Sequence, residues 1–374
     1  MFTLLWPRID YWTWVFLDLL WPIYPAWAIY LCCNITRLKQ SLAKVDVLRL
    51  SFWSLLALAG VLHWSVGGPR LVLSGHESLV TSLAFSPDGR FLASGSWDRT
   101  IKIWNPVTGE NLRTLDMGDS RKDPVEAVAF SPDGKILAAG SRQIVSLWDT
   151  QGWSLIRNLW LGGANVIESL IFFPTGKLLV TKSDRASGVW DLTTGERVLG
   201  MNKNLGSAAA LSPDGKLLAA VPSGYGAVRI WNTNTWKELF LLRTSARSVV
   251  FSLAFSPDGG ILAGGDGQNN LALWTTPDQQ YVPNVLNKVG CGANVVSLAF
   301  SPNSKWLAAI ARRASGLEGL TKPGCIKLFR LQDNQFTFMP WRTEPVGRGL
   351  AFSPDNKTLA TPGDGNTIKL WRID

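Results

Sequence analysis

Seven times between residues 83 and 371 the chain passes through one frame: an apolar strand, a tight reversal, a second apolar strand, a polar turn, and a third strand ending in an aromatic residue. LAFSPDGRFLASGSWDRTIKIW (83–104), VAFSPDGKILAAGSRQIVSLW (128–148) and LAFSPDNKTLATPGDGNTIKLW (350–371) show it most plainly. The closing aromatics are Trp104, Trp148, Trp190, Trp231, Trp274, Phe329 and Trp371, spaced 44, 42, 41, 43, 55 and 42 residues apart. A period of this length sets the fold before composition is consulted, because each unit is one supersecondary block that cannot bury its own faces. A chain of 374 residues exceeds what one compact core ordinarily holds, and repetition is one way past that limit.

Within each unit the Val, Ile, Leu and Ala runs are short, bounded by turn residues and without a 3.6-residue period, so they read as strands. Ser-Pro-Asp-Gly sets a reversal, since Pro fixes φ and Gly accepts positive φ. A polar link such as NPVTGE (105–110) then leads into a fourth strand. These units resemble the WD-repeat β-propeller family over residues 70–374. The best match runs from Gly75-His76 through Asp98 to Trp104-Asn105, and Trp148-Asp149 and Trp190-Asp191 carry the Trp-Asp ending itself. The resemblance implies an all-β, seven-bladed propeller, monomeric and closed within one chain. The last unit stops at IKLWRID after its third strand, and RLVLSG (70–75) offers the missing one. The expected pairing is 70–75 with 368–373.

The resemblance also implies that His76, Ser94 (or Ser96), Asp98 and Trp104 form a buried hydrogen-bond network that is structural, not catalytic. Asp184 keeps the Asp98 place, but Arg142, Tyr225, Gln268 and Gly365 occupy it in other units, which are expected to rely on packing. The chain has two histidines, His63 and His76, and neither is free to serve as a general base. Four scattered Cys give no metal-ligand spacing, so no metal and no cofactor are expected. The net charge of +9 contains no Lys/Arg block suited to a phosphate backbone, which argues against nucleic acid.

The sixth unit inserts ARRASGLEGLTKPG (311–324) between its second and third strands, and long loops often carry function. In the family, the ring edge built from such loops is the usual partner-binding face. Residues expected there are Trp97, Arg99, Arg121, Lys122, Arg142 and Arg185 from the first three units. Tyr225, Arg247, Lys288, Arg312, Arg313 and Lys322 extend the set. Arg and aromatic side chains favour interfaces; a solvated rim is the plain alternative.

Residues 1–69 have another composition, with seven Trp, and residues 11–33 and 50–66 are apolar enough to be candidate membrane spans. One or two transmembrane helices are therefore expected before the propeller, with a soluble helical cap as the alternative. Arg37, Lys39, Lys44 and Arg49 lie in the connector, so it stays cytoplasmic and the propeller is expected on the extracytoplasmic side, the cytoplasmic face being the alternative. Cys291 stands in the blade-opening His position and Cys325 in that of Thr100, at one edge of one blade. A Cys291–Cys325 disulfide would suit an oxidising compartment; two free, small buried residues are the alternative. The function expected is a membrane-anchored, non-catalytic scaffold for protein–protein interaction, with a small-ligand or ion-binding sensor as the alternative.

Overall fold

The computed structural model describes residues 69–374 apart from 118–122, 162–165, 184–186, 199–204, 207, 222–226, 244–247, 276–280, 287–288, 290–293, 313–324, 332–334, 338–346, 348, 365 and 374. Every regular element among the described residues is a strand, and the strands form seven antiparallel sheets. Blade 1 consists of Val80–Phe85, Leu92–Ser96, Thr100–Trp104 and Asn111–Asp116, in chain order across the sheet. Blades 2, 4, 5 and 6 repeat this order.

Blade 7 takes its fourth strand from the other end of the repeat region. Leu71–Leu73 pairs antiparallel with Ile368–Arg372, Leu71 opposite Leu370 and Leu73 opposite Ile368. Among its described residues, blade 3 shows three of the expected four strands. They end at Gly188–Asp191, and the outer edge is met by a single bridge from Arg197 to Trp190. The Arg197 guanidinium donates to the Ser187 carbonyl at 2.7 Å and lies against Gly188, so a side chain covers part of the edge.

A lone blade is apolar on both faces, and the burial pattern shows where those faces go. The buried side chains fall into seven clusters, each shared by two adjacent blades. Trp104 packs with Leu73, Ile368 and Leu370 of blade 7, and Trp148 packs with Ile101 and Ile103 of blade 1. Each third-strand aromatic thus faces the preceding blade, and the series closes because blade 1 is itself covered by blade 7. Burying one such large side chain contributes about 1.5–3 kcal/mol.

The reversals after the first strands repeat one hydrogen-bond set. In blade 1 the Ser86 hydroxyl donates to Asp88 Oδ1 at 2.6 Å and accepts the Phe91 N–H, while Asp88 Oδ1 accepts the Arg90 N–H. The residue after the Asp is left-handed: Gly89, Gly134, Gly215 and Gly259 have φ of 72, 71, 72 and 74°. These glycines lie against a proline of the preceding blade's turn, Gly134 on Pro87 and Gly215 on Pro174. Blades 6 and 7 put Ser304 (φ 55°) and Asn356 (φ 63°) there instead. Left-handed backbone costs such residues about 1–2 kcal/mol, and both gain a hydrogen bond across the blade boundary. Ser304 Oγ accepts the Asp258 N–H at 3.1 Å, and Asn356 Oδ1 accepts the Asn303 N–H at 2.8 Å. Asn356→Ala keeps the strained backbone and loses the acceptor, so it is expected to destabilise by about 1–2 kcal/mol in chemical unfolding. An unchanged midpoint would show that the bond carries no weight.

Candidate functional site

Blade 1 holds the densest polar cluster between two blades. His76 Nδ1 lies 2.6 Å from Asp98 Oδ2, His76 Nε2 lies 2.7 Å from Ser94 Oγ, and Trp104 Nε1 donates to Ser94 Oγ at 2.8 Å. Asp98 also accepts from the Thr100 hydroxyl at 2.6 Å and the Glu77 N–H at 2.9 Å. The arrangement fits one proton order: Trp104 N–H to Ser94, Ser94 O–H to His76 Nε2, His76 Nδ1–H to Asp98. Ser96 stands apart from it, donating to the Ser78 carbonyl and accepting the Asp98 N–H.

Ser94, His76 and Asp98 stand in the hydrogen-bond order of an acyl-transfer triad, yet the surroundings do not serve that chemistry. Ser94 is fully buried and its oxygen already accepts the Trp104 indole, which leaves no approach for a carbonyl carbon. What the chain of bonds does is satisfy buried polar groups and fix the strand aromatic against the preceding blade.

The other blades keep parts of it. The position of Ser94, paired opposite the residue two before the closing aromatic, is held by Thr181 in blade 3 and Thr361 in blade 7. Each accepts its tryptophan indole, at 3.1 Å from Trp190 and 2.8 Å from Trp371. Blade 7, where Gly365 replaces the Asp, was expected to rely on packing, and the Thr361 bond adds to that reading. In blade 6 the position is Ala309 and the aromatic is Phe329, which has no N–H to satisfy. Blade 2 has Ala139 with Trp148, and the buried Trp148 indole nitrogen has no hydrogen-bond partner among the described residues.

Of the residues expected on the partner-binding face, the structure describes the side chains of Trp97, Arg99 and Arg142, all exposed. Trp97 Nε1 donates to Glu126 Oε1 of the next blade at 3.1 Å. Arg99 holds a left-handed turn position (φ 75°), and Arg142 lies 3.9 Å from Asp123. Arg312 ends a strand, Trp306–Arg312, with only its backbone described. Arg121, Lys122, Arg185, Tyr225, Arg247, Lys288, Arg313 and Lys322 lie outside the described residues, as do Asp184, Gly365 and Cys291. Cys325 is disulfide-bonded.

Sequence reasoning offered the central channel as the seat of the small-ligand alternative but named no residue there. The first strands enclose a cavity of about 220 Å³ whose wall includes Thr81, Glu126, Glu168, Lys182, Phe251 and Ser297. Thr81, Glu168, Phe251 and Val296 are each the extra residue at a register shift in a first strand, and bulges re-aim side chains. Glu168 and Lys182 form an ion pair on this wall. The signal was in the repeats: four residues before the first-strand aromatic stand Thr81, Glu126, Glu168 and Phe251, where a uniform repeat would vary little.

Residues 67–105, 109–149, 236–275 and 337–372 match the profile of the WD domain, G-beta repeat. The chain therefore carries WD repeats, and it folds as a seven-bladed propeller. It is 28% identical over 317 residues to the small ribosomal subunit protein RACK1 of Candida albicans, covering 82% of this chain and 81% of that protein. It is 25% identical over 322 residues to the cross-pathway control WD-repeat protein 2 of Flammulina velutipes, 83% of each chain. A shorter likeness, 59% over 44 residues, covers 11% of this chain and 5% of a periodic tryptophan protein 2 homolog of Neurospora crassa.

Burial lowers the His76 imidazole below its ordinary 6.5, outweighing the pull of Asp98 in the other direction. The unfolded chain then takes up a proton more readily than the folded one. The stability from neutral His76 is complete above 6.5 and is lost as pH falls through the folded value. Burial raises the Asp98 carboxyl, but bonds from Thr100, Glu77 and His76 bring it below 3.8, so its contribution survives to lower pH. The thermal midpoint is expected to fall over the interval that begins at pH 6.5 and ends at the lowered folded value. His76→Gln should start lower at neutral pH and decline less over that interval; parallel profiles would remove His76 as the group responsible. Ala139→Ser, which offers Trp148 the acceptor found in blades 1, 3 and 7, should stabilise by about 1 kcal/mol in the same melts.

Proposed function

We propose that this protein is a non-catalytic WD-repeat scaffold that binds protein partners across the face carrying Trp97, Arg99 and Arg142 and the 311–324 insertion. The observation that supports this reading most is the closed ring with the triad-like cluster of blade 1 sealed: Ser94 is fully buried, while Trp97 is 39% exposed on the adjoining face. A rigid surface with exposed aromatic and Arg side chains suits recognition, since little is ordered on binding. Relatives named as a ribosomal subunit protein and a cross-pathway control protein favour the same class of role.

We extend the reading to the membrane: residues 11–33 and 50–66 anchor the chain and the propeller works on the extracytoplasmic side. Both segments lie outside the described residues, and among the described residues no helix is long and apolar enough to cross a membrane. The composition of those segments supports anchoring. The disulfide at Cys325 favours an oxidising compartment, and Cys291 is the partner we assign to it.

Cross-linking in intact membranes followed by affinity capture tests the whole. Full-length protein should sediment with membranes and release only into detergent, and peptide mapping without reductant should link Cys291 to Cys325. Arg312→Glu with Arg313→Glu should remove at least one captured partner. Recovery in the aqueous fraction would end the anchoring part alone; an unchanged partner set would end the role of the insertion.

A second reading, a small-ligand-binding propeller, is favoured by the charged wall of the central cavity.

A further inference from the structure

The wall of the central cavity is built in layers, one residue from or just before each first strand. Three places before the residue that ends each first strand stand Ser82, Ala127, Ser169, Ala208, Ser252, Ser297 and Gly349, all small, four of them hydroxylic. Ser82 Oγ accepts the Val128 N–H at 3.1 Å. The hydroxyls of Ser169, Ser252 and Ser297 are partly exposed and have no hydrogen-bond partner among the described residues. One place nearer the mouth, the bulged positions present Glu168 and Phe251, with Glu126 at the corresponding place of blade 2.

The ammonium among them occupies a modified seat. Gly95, Gly140 and Gly265 hold the second-strand position opposite or next to these first-strand residues in blades 1, 2 and 5. There a Cβ would come within 2.7, 2.8 and 2.4 Å of Val125, Ile167 and Val295 of the next blade. Blade 3 reverses the sizes: Lys182 stands at the glycine position, opposite Ser169, and Gly206 stands where the next blade would carry the branched residue. The exchange places a side chain only 6% exposed on the cavity wall, paired to Glu168. Packing does not call for it, since the glycine–valine arrangement fills the same place elsewhere. A buried ion pair is a weak source of stability.

The chemistry of this wall selects its guest. An apolar molecule would strand the carboxylates, the ammonium and the serine hydroxyls. A multivalent anion would face two carboxylates, and a bare cation would face Lys182. A neutral molecule rich in hydroxyls meets both signs, because each hydroxyl donates to carboxylates and accepts from the ammonium and the serines. Phe251, 37% exposed, offers an apolar ring for the C–H face of such a molecule. At about 220 Å³ the space is below the roughly 300–1,000 Å³ of pockets for drug-sized ligands. We infer that the central cavity is a binding site for a small neutral polyol, of the size of a single pyranose or inositol ring. This rests on the small-ligand reading above and leaves the scaffold reading independent of it.

The experiment is saturation-transfer NMR and titration calorimetry on the purified full-length protein. The probes are glucose, galactose, N-acetylglucosamine and myo-inositol, with inorganic phosphate and calcium chloride as charged comparators. At least one neutral probe should bind saturably with a dissociation constant of about 1 mM or tighter. Ser297→Leu, which fills the cavity, should abolish that binding, and Lys182→Met should weaken it at least tenfold. Near-UV circular dichroism checks that both variants fold, and Ser252→Ala, the mildest change, should weaken binding several-fold if they do not. Binding of phosphate or calcium alone would overturn the polyol assignment and keep the small-ligand reading. Binding of no probe, or neutral binding untouched by these substitutions, would overturn both.

Discussion

A propeller blade is a sheet with two apolar faces and no means of covering either. The whole structure depends on that deficit being met by the next blade, seven times, without a remainder. The seven clusters of buried side chains lie between adjacent blades, and each contains residues from both. Stability is therefore a property of the boundaries. The strand Leu71–Leu73 matters out of proportion to its length, since it ties the start of the repeat region to its last sheet. Without it, Ile368 and Leu370 would lose Leu73 as a packing neighbour, and the Trp104 boundary would open with them.

Polar groups reinforce the boundaries in ways that follow from what each substitution leaves unsatisfied. An indole brings an N–H into the core, and the blades with Ser94, Thr181 or Thr361 supply an acceptor for it. Phe329 removes the donor in the blade where Ala309 removes the acceptor, a neutral exchange in which neither group is stranded. Ser304 and Asn356 show the same compensation at the turns, accepting backbone N–H groups of the preceding blade in place of a glycine's close contact. Such compensation is not universal: in blade 2 the buried Trp148 nitrogen and Ser146 hydroxyl find no hydrogen-bond partner among the described residues.

The architecture was legible in the sequence because its signals are local. A Ser-Pro-Asp-Gly turn closes through bonds among residues at most five apart, such as Ser86 with Phe91, so each copy announces itself. The blade 1 residues His76, Ser94, Asp98 and Trp104 were grouped through the resemblance to the WD-repeat family, since their bonds span 10 to 22 residues and leave no local signal. What the sequence concealed lies between blades. Asp258 and Ser304 are 46 residues apart, and the Lys182–Gly206 exchange makes sense only once two blades are set side by side.

This division also explains where chemistry can be found in such a fold. Between blades, any polar group is enclosed on both sides, so the Ser94–His76–Asp98 chain ends as a fastening whatever its geometry suggests. The turns present exposed side chains on a frame that moves little, which suits recognition of something large. The axis differs from both. Seven inner strands converge there without packing face to face, and small residues at one layer keep the space open. A charge on that wall is shielded by neighbouring blades yet still reachable from the mouth, which is the condition a small guest requires. Glu168 occupies that position through a bulge that blades 1, 5 and 6 share, and Lys182 through a size exchange that departs from the glycine of blades 1, 2 and 5 and that the closure of the ring does not need.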